Sequence, residues 1–244
     1  MTFDMVKLPV KRLASGLEGF KIVHLSDLHL HPFTELSFIE KAIGMVNDLN
    51  PDLVAITGDF VSQEAETIFE LAPVVARLNP KYGIFSCLGN HEVRTGPDIV
   101  TAGLAEVGIP VFANQGRTIT VGKAAIYIAG LDDAWLGRPD LRTTLADAPP
   151  EAPTILMVHE PDAADRVSLD GRVTLQLSGH SHGGQVRLPG LGALALPPMA
   201  RKYDQGLYNV NDMWLYTTRG VGVTGLPIRL NCRPEITEIT LIGA

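Results

Sequence analysis

The sequence holds only two cysteines, Cys87 and Cys232, in 244 residues. They form no CxxC pair, so neither a thioredoxin-type redox motif nor a cysteine-ligated zinc site is suggested. Both read as small buried thiols, and Cys87 closes an apolar run that fits burial. Runs of basic residues are also missing. Lys and Arg number 20 against 27 Asp and Glu, a formal charge of −7. Nucleic acid is therefore a poor partner, since nothing resembles a phosphate-backbone footprint. An anionic substrate stays open if bound cations reverse the local field. The N-terminal stretch "MTFDMVKLPVKRLASGLEGFKIVHL" is broken by charge too often for a signal-peptide core or a membrane span. The chain is expected to be cytoplasmic, with membrane association through an anchor outside it left open. No internal repeat, low-complexity tract or long polar linker interrupts it, and residues 1–244 read as a single domain.

What is present is a repeated grammar. Five strand-like runs end abruptly in polar residues: "FKIVHLSDLHLH", "PDLVAITGDF", "YGIFSCLGNHE", "APTILMVHEP" and "RVTLQLSGHSHGG". Mostly apolar runs of this length suit strands buried on both faces. Helix-like segments separate the first three. "TELSFIEKAIGMVNDLN" offers Thr34 as a cap and an apolar stripe through Phe38, Ile39, Ala42, Ile43 and Val46. "EAETIFELAPVVARLN" carries Pro73 as an expected kink or break. Alternating strands and helices imply βαβ units. Beyond Val111, two short strand-like runs around Gly122 predict a hairpin. "GLYNVNDMWLYTTRG" and "EITEITLIGA" suggest antiparallel strands near the C-terminus.

In open α/β sheets ligands collect beyond the carboxyl ends of strands. There the five runs place Asp27, His29, Asp59, Asn90, His91, His159, His180 and His182, which include five of the seven histidines. Imidazoles, carboxylates and one amide oxygen, without thiolate, suit Mn, Fe, Zn or Co. Four of them have a plainer reading. Asp27 and Asp59 can cap helices, Asn90 can sit in a turn, and His159 can be a satisfied structural histidine. His24 lies within a strand and reads as a core residue, whereas His31 belongs to the rim or the substrate side. Arg201 and Lys202 form either a solvated patch or a phosphate contact. The uncharged stretch Leu188 to Ala200 either packs on the core or forms an apolar lip for an acyl chain or membrane surface.

The ordered set "DLH", "GD", "GNHE", lone His159 and "GHSH" resembles the calcineurin-like metallophosphoesterase superfamily. With "SGHSHGGQVRLPG", "RKYDQGLY" and "TRGVGVTGLPIRLNCRPEI" it is similar to a bacterial branch of small, often membrane-associated phosphohydrolases. That resemblance implies a four-layer α/β/β/α sandwich with two mixed β-sheets. It implies two divalent metal ions, one held by Asp27, His29, Asp59 and His182, the other by Asp59, Asn90, His159 and His180. His91 would face the substrate as the catalytic histidine, with Glu92 expected to orient it. The reaction implied is hydrolysis of a phosphodiester or pyrophosphate by a metal-activated hydroxide. A lipid-linked pyrophosphatase acting on a UDP-diacylglucosamine-like molecule is the alternative enzyme, and a non-catalytic metal-binding module the alternative of another class.

Overall fold

The computed structural model describes residues 1–244. In chain order its strands and helices are β1 (Thr2–Val10), β2 (Lys21–Leu25), α1 (Leu36–Asp48), β3 (Leu53–Thr57), α2 (Ile68–Val75), β4 (Ile84–Cys87), α3 (Asn90–Thr95) and α4 (Pro97–Glu106). Then come β5 (Gln115–Val121), β6 (Ala124–Gly130), α5 (Leu141–Thr144), β7 (Thr154–Met157), α6 (Ala164–Val167), β8 (Leu175–Ser178), β9 (Arg187–Leu188), β10 (Gly192–Ala193), β11 (Gly206–Val210), β12 (Met213–Thr217) and β13 (Glu235–Gly243). One mixed sheet runs β1-β13-β2-β3-β4, a second runs β11-β12-β8-β7-β6-β5, and β9 and β10 form a separate two-stranded antiparallel sheet.

The five polar-ended runs are β2, β3 and β4, mutually parallel in the first sheet, and β7 and β8, parallel in the second. Period-two alternation assigns their faces. In β3, Leu53 and Ala55 join a core shared with Ile155, Met157, Leu175 and Leu177 of the other sheet. Val54 and Ile56 point the opposite way, toward Ile39, Ile43 and Val46 of α1, Leu71 of α2 and Leu104 of α4. Tyr127, Ala129 and Leu156 on the second sheet's other face meet Leu145, Ala164 and Val167 beside α5 and α6. β3 is thus apolar on both sides, which explains why its sequence does not alternate, whereas β8 alternates, with Leu175 and Leu177 in the shared core and Gln176 and Ser178 buried on its other face.

The local readings are adjusted in places. Thr34 does not cap α1, whose N-cap is Glu35. Thr34 is buried, and its hydroxyl accepts from the Val223 backbone at 3.2 Å. Pro73 sits inside α2, and the helix ends two residues later. The hairpin at Gly122 forms, with Val121 opposite Ala124 and Gly122 at φ 61°. β11 and β12 are antiparallel, but β13 is antiparallel to β2 and parallel to β1. Both cysteines are buried and unpaired. No helix is long and apolar enough to cross a membrane.

Candidate metal centre

The ladder continues past the strand ends. Asp27 N–H donates to Gly58 C=O and His29 N–H to Asp59 C=O, each at 3.0 Å. These bonds bind the loop after β2 to the loop after β3. Gly179 N–H does the same to His159 C=O, at 3.0 Å, for the loops after β7 and β8. Asp27, His29, Asp59, His180 and His182 all take left-handed backbone conformations, with φ of 54°, 46°, 53°, 65° and 50°. Non-glycine residues rarely adopt that region, at roughly 1–3 kcal/mol each, and such residues gather at functional sites. Gly179 lets the chain pass close by: a Cβ there would collide with Ser26 Oγ and Asp27 Oδ2.

Two buried groups of donor atoms result, Asp27, His29, Asp59 and His182 in one and Asp59, His159 and His180 in the other. Asp59 belongs to both through a single oxygen. Its Oδ2 lies 3.3 Å from His29 Nε2 and 3.2 Å from His159 Nε2. His29 Nε2 and His182 Nε2 are 3.0 Å apart, and His182 Nε2 is 3.3 Å from Asp27 Oδ1. Donors about 2.1 Å from one divalent ion stand about 3.0 Å apart at right angles and about 3.4 Å apart at tetrahedral angles. The separations of 3.0, 3.2 and 3.3 Å fall in that range, and His29 Nε2 to Asp27 Oδ1 is wider at 3.9 Å. Asn90 Oδ1 is buried without a hydrogen-bond partner, which fits an oxygen available to a cation. The donor set, nitrogen and oxygen without sulfur, suits Mn, Fe or Zn alike.

Backbone carbonyls fix the imidazole tautomers. A carbonyl only accepts, so His159 Nδ1 donates to Thr57 C=O at 2.6 Å and leaves Nε2 facing Asp59. His180 Nε2 donates to Pro198 C=O at 2.8 Å, leaving Nδ1. His91 Nδ1 donates to Ser62 C=O at 2.6 Å, leaving Nε2 free. Burial opposes charge on His159, but the Asp59 carboxylate overrides it and holds its pKa well above the usual histidine value. Burial likewise opposes ionisation of Asp59, and His159 and His29 override it, so Asp59 stays well below the usual carboxylate range.

A cavity of about 420 Å³ opens over the centre, lined by Asp59, Asn90, His91, His180 and His182 on its floor side and by Arg94, Trp135, Gln185, Leu196 and Thr224 among its walls. Arg201 and Lys202 do not line it. The backbone N–H groups of Arg201 and Lys202 bond to Asp162, at 2.9 and 3.1 Å, and Lys202 Nζ pairs with Asp165 at 2.7 Å. Lys202 is thus ion-paired locally, while Arg201 is engaged through its backbone N–H. Glu92 does not orient His91. Its carboxylate accepts backbone N–H groups of Asp59 (2.8 Å), Gly89 (2.9 Å) and Val61 (3.1 Å), and so locks the loops after β3 and β4 together. Burial, then repulsion from Asp59, pushes Glu92 up to about 7. His24 is buried with Nε2 at 2.8 Å from Thr57 Oγ1, a core residue, and His31 pairs with Glu70 at 3.2 Å on the surface.

Sequence reasoning missed Arg94, Trp135 and Arg229. Arg94 follows His91 by three residues on α3, a spacing that places both on one helix face. Arg229 left no such signal. Its guanidinium is largely buried and donates to the carbonyls of Arg219 (2.7 Å) and Gly222 (2.6 Å). Gly222 N–H in turn donates to Asp27 C=O at 2.7 Å, so Arg229 braces the loop behind Asp27.

A mixed two-sheet α/β fold with clustered histidines and carboxylates beyond its strand ends is consistent with a metallophosphoesterase. The chain belongs to the calcineurin-like phosphoesterase family, whose model matches residues 20–184. It is 38% identical over 234 residues to the uncharacterized metallophosphoesterase YkuE of Bacillus subtilis, covering 93% of this chain and 80% of that protein. It is 32% identical to the phosphodiesterase YaeI of Escherichia coli, covering 98% and 88%. The fold matches the solved structure of TT1561 from Thermus thermophilus with TM-score 0.57 at 12% identity, covering 83% of this chain and 90% of that one.

Proposed function

We propose that the chain is a dinuclear metal-dependent phosphohydrolase acting on phosphodiester or pyrophosphate bonds. The observation that carries this reading is Asp59 Oδ2, one oxygen reached by a donor of each buried group at 3.2 and 3.3 Å. Asp27, His29, Asp59 and His182 would hold one ion, and Asp59, Asn90, His159 and His180 the other. When bound, two divalent ions supply Lewis acidity toward phosphate oxygens and lower the pKa of a bound water. The remaining roles fall to the chain. Asp59 keeps the two donor groups in fixed register. Thr57 and Pro198 carbonyls orient His159 and His180. His91, anchored through Nδ1, presents Nε2 to the cavity, where it stabilises charge on the phosphate or protonates the leaving oxygen. Such a positioned acid contributes roughly 100- to 10,000-fold. The relative named a phosphodiesterase supports diester hydrolysis as the activity. Hydrolysis of bis(p-nitrophenyl) phosphate with added Mn²⁺ tests the reading. Turnover is expected to vanish on chelation and in Asp59→Ala. Turnover unchanged by both contradicts it.

An apolar rim favours a second reading, a lipid-bearing substrate. Leu191, Leu194, Leu226, Ile228 and Leu230 are all exposed. Their segments are joined by hydrogen bonds from Arg187 N–H to Leu230 C=O (2.9 Å) and from the Gln185 amide to Thr224 C=O (2.8 Å). Gln185 and Thr224 also line the cavity. Sedimentation with phospholipid vesicles, for wild type and Leu191→Ser/Leu194→Ser, tests it. Equal sedimentation of the two removes the lipid reading.

A further inference from the structure

We infer that Arg94 is a specificity residue that receives a second phosphoryl group, so that the cavity is built for pyrophosphate diesters rather than simple phosphodiesters. This rests on the phosphohydrolase reading above. Arg94 is the one Arg or Lys among the residues lining the cavity. In a chain of net charge −7 it pairs with no carboxylate, and its guanidinium lies over the Trp135 ring instead, 4.6 Å from the centroid. Trp135 in turn stands against His180, with ring centroids 5.7 Å apart. The aromatic face holds the planar guanidinium at the wall while leaving its N–H donors free for an anion.

The placement relative to His91 gives the substrate class. His91 and Arg94 lie three residues apart on α3, so their Cβ atoms are about 5–6 Å apart on one face. On the phosphohydrolase reading, the phosphorus under attack would sit over the metal-binding residues, next to His91. An anionic group beside Arg94 therefore belongs to the neighbouring part of the substrate. The other wall residues, Trp135, Gln185, Leu196 and Thr224, are uncharged and offer no competing cation. A simple phosphodiester leaves Arg94 unused. A pyrophosphate diester puts its second phosphate there, where two parallel N–H···O bonds suit the guanidinium fork. One water then supplies its oxygen to the attacked phosphorus and its two protons to the two phosphomonoesters released as the anhydride P–O bond breaks.

The test compares wild type, Arg94→Ala and Arg94→Lys on bis(p-nitrophenyl) phosphate and on UDP-glucose, both with Mn²⁺. A hydrogen-bonded charge is worth about 1.5–3 kcal/mol, so Arg94→Ala is expected to lose roughly 10- to 100-fold in kcat/KM on UDP-glucose. Its rate on the simple diester should stay within about 3-fold, and Arg94→Lys should recover part of the loss. Equal losses on both substrates, no loss on either, or a wild type that cleaves the simple diester but not UDP-glucose overturns the inference. Calorimetric titration supplies a readout without turnover. Methylenediphosphonate should bind Arg94→Ala at least about 10-fold more weakly than wild type, with methylphosphonate unaffected. If wild type cleaves neither substrate, the phosphohydrolase reading fails. The titration then decides the role of Arg94 by itself, and diphosphonate affinity independent of Arg94 overturns it.

Discussion

Gly179→Ala isolates the packing that holds Asp27 in place. Gly179 does not lie in the left-handed region, so an alanine there adds no backbone strain, only a methyl group. That methyl would collide with Ser26 Oγ and Asp27 Oδ2 and approach Ser26 Cβ to 2.7 Å. Asp27 cannot retreat freely. It is fully buried, and its carboxylate accepts the His180 N–H at 3.1 Å while Gly220 packs behind it. Overpacking of this kind costs about 1–3 kcal/mol. For a chain of this size each kcal/mol moves the midpoint by about 2–4 °C, so thermal unfolding should fall by roughly 5 °C. The collision strikes the Asp27, His29, Asp59 and His182 group directly and leaves Asp59, His159 and His180 in contact. Elemental analysis after gel filtration in Mn²⁺ should therefore show one ion lost per chain, with the other kept. Gly44→Ala is the control. Gly44 is exposed in α1 with nothing within 4 Å of an added Cβ, and the exchange should raise stability by up to about 1 kcal/mol. A Gly179→Ala protein with a wild-type midpoint and full metal content would refute the reasoning.

Two further outcomes follow from buried groups. Glu92→Ala leaves three backbone N–H groups without their acceptor, so the chelated protein should unfold at a lower temperature, while His91→Ala should match wild type; circular dichroism melts showing the reverse order would return Glu92 to the role of orienting His91. Burial pushes His24 down to about 3, so it stays neutral in the fold and takes up a proton only on unfolding once pH falls below about 6.5. Stability from this group is intact above pH 6.5 and lost as pH falls toward 3. It declines by about 2 kcal/mol from pH 6.5 to 5. His24→Gln should remove that part of the slope in urea titrations at the two pH values, and parallel slopes would contradict the assignment.

The centre was legible because each of its loops follows an apolar strand. "DLH", "GD", "GNHE" and "GHSH" mark strand ends, and parallel strands bring their ends to one side. The edge of the first sheet was not legible. β1 pairs with β13 in a register that joins Thr2 to Glu235, a contact between chain ends that no local pattern announces. Glu92 was misread because adjacency in sequence suggested contact with His91. On a helix, consecutive side chains diverge by about 100°, and the Glu92 carboxylate turns to the backbone of the loop after β3. The local partners of Arg201 and Lys202 were not legible either: Asp162 accepts from both backbone N–H groups and Asp165 pairs with Lys202 Nζ. Arg94 carried the signal that was passed over, a cation one helical turn beyond His91.

Two cations sharing Asp59 is the central claim, and anomalous scattering from crystals grown with Mn²⁺ tests it most directly. The account predicts two peaks, both touching Asp59 Oδ2, one ringed by Asp27, His29 and His182 and the other by Asn90, His159 and His180. No peak at Asp59, or a single peak that leaves either set of donors unengaged, would contradict it.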